Sequence, residues 1–180
     1  MTSTQKITLS GLFIALGLLT PIAFHFTAGP AAGRLFLPMH IPIFLAGLLC
    51  GPAVGFTAGI ITPGLSSLLT GMPPPMPTAI LMTMELAVYG FLSGYLYFRF
   101  RTTLWLSLIL SMLGGRLIYG FLAYLALPLI GLDRIPLWTP VTVGLIESWP
   151  GILIQLVLIP PIVYAAQRLR VFTEIRGKMS

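Results

Sequence analysis

From Ile7 to Ala166 the chain is a series of long apolar runs, and most of its charges stand in the breaks between them or at the ends. With 57% hydrophobic and 8% charged residues, 180 residues folded in water would leave large apolar patches exposed. The bilayer is the natural solvent for such a chain. Its apolar runs suffice for about six helices of roughly 20 residues each, some shorter. The expected fold is an all-α integral membrane protein of one domain, residues 1–180, with no soluble part. The first run continues past Phe24 without a small-residue cleavage site, so it reads as a retained helix and not as a signal peptide. The single cysteine, Cys50, excludes an internal disulfide and reads as packing.

The breaks give the spans. Helix one is expected over about residues 7–26 and a short helix two over 37–49, with Gly51-Pro52 turning the chain. Helix three follows over about 53–70 with a bend near Pro63-Gly64, and helix four over 78–98 after a proline-rich stretch. Helices five and six are expected over about 104–127 and 141–166. Lys6, Arg99, Arg101, Arg168, Arg170, Arg176 and Lys178, seven in all, fall on one side of this arrangement; two, Arg34 and Arg134, fall on the other. The positive-inside rule then places both termini in the cytoplasm. The net charge of +6 is on this reading an orientation signal and an attraction to anionic lipid. No basic helix face or aromatic platform supports nucleic-acid binding.

Three charges break the pattern. Glu85, Arg116 and Glu147 lie inside helices four, five and six, where an ionised side chain is costly unless it faces a partner or a wet cavity. At about 1.5 Å rise per residue the two glutamates sit roughly 9 Å, and Arg116 roughly 16 Å, from the outer helix ends. Helical spacing puts Tyr89 on the face of Glu85, Tyr119 on that of Arg116 and Gln155 on that of Glu147, with Trp149 beside the stripe. Arg34, His25 and His40 belong to the outer side and could close over a pocket there. Such a polar cup with aromatic walls has the composition of a small-molecule site. The same charges could equally be a structural ion pair holding three helices in register, or Glu85 or Glu147 could serve a membrane enzyme as general base.

Small residues mark helix contacts. Gly51, Gly55 and Gly59 repeat every four residues, as do Gly90 and Gly94, and are expected to be internal packing. Gly11 and Ala15 form a similar pair on helix one that could receive a second membrane protein. The chain carries no phosphate-binding loop ending in Lys-Ser or Lys-Thr, no HExxH and no G-x-S-x-G, so neither ATP hydrolysis nor hydrolytic catalysis is supported, and neither cofactor nor metal is expected. Nor are two inverted halves evident, as a self-sufficient secondary transporter would often show.

Several segments in order resemble the substrate-binding S components of energy-coupling factor (ECF) vitamin transporters. They are residues Pro38-Met39-His40-Ile41-Pro42 with Leu45-Ala46-Gly47 and Gly51-Pro52, the run from Leu65 through Thr70-Gly71 to Pro74, Glu85-Leu86-Ala87 with Tyr89-Gly90, Gly115-Arg116 with Tyr119-Gly120, and Pro150-Gly151 with Gln155. The resemblance implies six helices in a bacterial-type cell membrane and a site opening outward under loops. It also implies partnership with a transmembrane scaffold subunit and two ATPase subunits, and no catalysis by the chain itself. In that family the docking motif of helix one is Ala-x-x-x-Ala, where this chain has Gly11-x-x-x-Ala15. On this basis Arg34, His40, Glu85, Tyr89, Arg116, Tyr119, Glu147, Trp149 and Gln155 are expected to bind a water-soluble vitamin or precursor. The motif set leans toward pantothenate, with riboflavin and folate as alternatives, and a substrate carboxylate would be received by Arg116, with Arg34 as a second candidate.

Overall fold

A computed structural model describes residues 2–28, 35–131, 133, 136, 138–168 and 172. Among these the regular structure is entirely helical: α1 (Ser3–Ala28), α2 (His40–Cys50), α3 (Pro52–Thr70), α4 (Ile80–Arg99), α5 (Leu104–Ala126), α6 (Thr139–Glu147) and α7 (Trp149–Ala166). A π turn over Pro75–Ala79 leads into α4 and a 3-10 turn over Pro128–Ile130 follows α5. Five stretches, Ser3–Phe24, Pro52–Thr70, Pro75–Arg99, Leu104–Ile130 and Trp149–Ala166, are long and apolar enough to cross a membrane. The 11-residue α2 is apolar but shorter.

Local chemistry sets the boundaries. Gly51, at φ 95°, ends α2 by giving its N–H to the Gly47 carbonyl, and Pro52 then starts α3 at a position where a missing N–H costs nothing. Gly71, at φ 72°, closes α3 through a 3.0 Å bond to the Ser67 carbonyl. Thr103 caps α5 by accepting from the Leu106 N–H. Helix three runs to Thr70 as expected, without interruption and with Pro63 inside it. In one place the observed helices depart from the expected ones. Helix six, expected as one rod, is two helices broken at Ser148 (φ −105°, ψ 15°). Pro150 explains the break: it has no N–H for the Ile146 carbonyl, and its ring would collide with it in a continuous helix.

The core gathers around α2, which is buried along nearly its whole length. Ile43, Phe44 and Leu48 meet Val54 of α3, Leu86 of α4, Leu108 of α5, and Ile159 and Val163 of α7. The glycines place the backbones of α2, α3 and α4 in direct contact. A Cβ on Gly55 would strike the Gly90 carbonyl, one on Gly59 the Leu86 carbonyl, and one on Gly94 the Gly47 carbonyl and the Pro52 nitrogen. Without side chains between them the helices approach closely enough for dispersion along the backbone, the favourable packing term in lipid. By contrast α1 is mostly uncovered. It touches α3 at Gly17, against the Thr62 methyl, while Leu12, Leu16 and Leu19 point outward. Gly11 and Ala15 are exposed on it.

Candidate functional site

One turn of α4 carries Glu85 and Tyr89 on the same face, and both are buried. The Tyr89 hydroxyl donates to Glu85 Oε1 at 2.7 Å. From α5 Arg116 Nη1 reaches the same carboxylate oxygen at 3.1 Å, with the arginine side chain 12% and the glutamate side chain 3% exposed. The other guanidinium nitrogen, Nη2, donates to Ser148 Oγ at 2.9 Å, and Ser148 Oγ donates to the Gly144 carbonyl. Breaking the last helix at Ser148 thus provides a hydroxyl for the cation.

Two glycines make room for this network. A Cβ on Gly115 would occupy the edge of the Tyr89 ring, and one on Gly144 would stand 2.9 Å from Arg116 Nη1. The Tyr89 ring itself stacks on Phe44 with centroids 5.0 Å apart and leans on His40 at 5.5 Å.

Beside the network lies a cavity of about 160 Å³. The polar residues His40, Tyr89, Arg116 and Gln155 line it together with Ile109, Met112, Leu145 and Ile152, and the surface it presents is almost wholly apolar. His40 is only 2% exposed, yet neither ring nitrogen has a hydrogen-bond partner among the described residues. Leaving a buried polar group unpaired costs roughly 1–3 kcal/mol, so native structures rarely do it without a functional reason or an unseen partner. Gln155, equally buried, makes a long 3.5 Å contact from Nε2 to the Leu37 carbonyl. Four polar residues converging on an apolar hollow is the composition of a small-molecule pocket.

Of the residues expected at the site, His40, Glu85, Tyr89, Arg116 and Gln155 come together here, with Glu85 behind Arg116 and not on the cavity wall. Tyr119 is half-buried and within electrostatic reach of Arg116. Glu147 and Trp149 are not brought to this cavity: both side chains are exposed, Trp149 at 59%, and neither is among the residues that line it. Their expected place rested on one continuous helix, and the break at Ser148 disposes of that register. Arg34 and the His25 side chain lie outside the described residues. Ser148 and Gly144 were not foreseen; the signal for Ser148 was Pro150, two residues on. Among the described residues no three His, Cys, Asp or Glu side chains gather as metal ligands.

The family model described as ECF transporter, substrate-specific component, matches residues 5–163. No curated protein and no solved structure gives a significant match.

Proposed function

Because the chain belongs to the family of ECF transporter substrate-specific components, and is therefore a membrane-embedded transport subunit and not an enzyme, we propose that it captures a water-soluble vitamin or precursor in the cavity between α2, α4, α5, α6 and α7. The observation that carries this reading is His40, a residue of the cavity lining whose buried ring nitrogens have no hydrogen-bond partner among the described residues. A bound solute supplies what the imidazole lacks. Gln155 and Arg116 offer further donors, Tyr89 a ring face, and Ile109 and Met112 an apolar seat. Glu85 acts through Arg116: it orients the guanidinium without touching the solute. Pantothenate is the first vitamin to test, since the motif set leans toward it.

On this reading the solute enters from outside, and the loaded subunit then docks on the scaffold and its two ATPases, which tip it and release the solute inward. Gly11 and Ala15 support α1 as the docking face, because both are exposed and nothing stands within 4 Å of a Cβ built on Gly11. Mass spectrometry of the solute retained by the purified protein tests the reading directly. His40→Phe, which keeps a ring packed on Tyr89 and removes both nitrogens, is expected to weaken equilibrium binding of that solute in detergent at least tenfold without lowering the thermal unfolding temperature. Retention of full affinity by His40→Phe would place the solute elsewhere.

A further inference from the structure

Arg116 brings a full positive charge to the cavity wall, but that charge is already answered. Nη1 stands 3.1 Å from Glu85 Oε1 and Nη2 donates to Ser148 Oγ at 2.9 Å. The remaining polar residues on the wall are His40, Tyr89 and Gln155. His40 has no acidic partner among the described residues, and a lone imidazolium buried beside an arginine would be strongly unfavourable. The ring is therefore neutral, with one N–H to give and one lone pair to fill.

The site thus balances at zero: one cation, one carboxylate and neutral polar groups. A solute carboxylate placed against Arg116 would have to share that cation with Glu85, and two carboxylates this close in a water-poor interior repel strongly. An uncharged group meets no such penalty, and a neutral imidazole with an N–H and a lone pair unfilled favours one that both donates and accepts. Size points the same way. A cavity of about 160 Å³ compares with the ~150 Å³ hollow that accepts a single benzene ring, so it holds a ring-sized portion of a solute.

Building on the binding reading above, we infer that the portion of the solute held against His40, Arg116 and Gln155 is uncharged and both donates and accepts hydrogen bonds, as an amide or a pair of hydroxyls does. Any carboxylate the solute carries lies away from Arg116. This reverses the orientation expected from sequence, in which the arginine receives the carboxylate.

Pantothenate and its uncharged alcohol analogue pantothenol form the test pair, their affinities measured in detergent on the protein purified free of solute. The wild-type ratio of the two is expected within threefold of one, because the group that differs does not reach the cation. Glu85→Gln frees Arg116, and the ratio should then move at least tenfold toward pantothenate. Being internal to each variant, the ratio is insensitive to the fraction folded. A wild-type preference for pantothenate of tenfold or more that vanishes in Arg116→Gln would overturn the inference while leaving the binding site standing. Binding of neither compound, with no solute retained on purification, would overturn the site itself and this inference with it.

Discussion

Arg116 holds its place through two contacts of different worth. Truncating Glu85 to Ala leaves the guanidinium buried and unpaired, and the cost of such a loss is about 3–5 kcal/mol. Ser148→Ala removes only a hydroxyl, and a hydrogen bond to a charged group contributes about 1.5–3 kcal/mol. Thermal unfolding in detergent should therefore rank Glu85→Ala below Ser148→Ala, with Ser148→Ala below wild type; the reverse order would mean that Ser148 is the cation's main anchor. At this scale much was legible beforehand. Glu85 and Tyr89 four apart on one helix, with Arg116 inside the next, were enough to expect a cluster. Which carboxylate paired with the arginine was not legible, because that depends on how α5 packs on α4, a matter of Gly115 admitting the Tyr89 ring.

Among the elements, α2, α3 and α4 were readable from their punctuation: Gly51-Pro52 and Gly71 mark the turns, and the four-residue glycine spacing marks the contact faces. The last span was not. Reading residues 141–166 as one helix put Glu147 and Gln155 on a single stripe, whereas the break at Ser148 leaves Gln155 buried and Glu147 exposed. The glycines provide a test at this scale. Gly90→Ala would drive a methyl into the Gly55 backbone, which cannot yield as a flexible side chain would, and should destabilise by roughly 1–3 kcal/mol or more. Gly64→Ala meets open space in the interior of α3 and should stabilise by about 0.5–1 kcal/mol. Equal effects from the two substitutions in denaturant titrations would show that the α3–α4 seam is looser than described.

For the whole molecule, the distribution of burial separates a dense side from an open one. The helices α2, α3 and α4 share backbone contacts and most of the core, while α6 is short, largely exposed and attached mainly to α5. Local opening free energies follow such differences. Amide hydrogen exchange in detergent should be slowest over residues 86–94 and fastest, among the helices, over residues 139–147, with bound solute slowing the latter because Val141 and Leu145 line the cavity. Uniform exchange along the helices would contradict this division.

The backbone seam between Gly55 and Gly90 has a mechanical consequence. Where two main chains abut with no side chains between them, there are no rotamers to trade, so neither helix can slide to accommodate a guest. That half of the protein serves as an anvil: shape changes made on loading must be borne by the opposite wall, where one short rod is fastened to the arginine through a single serine.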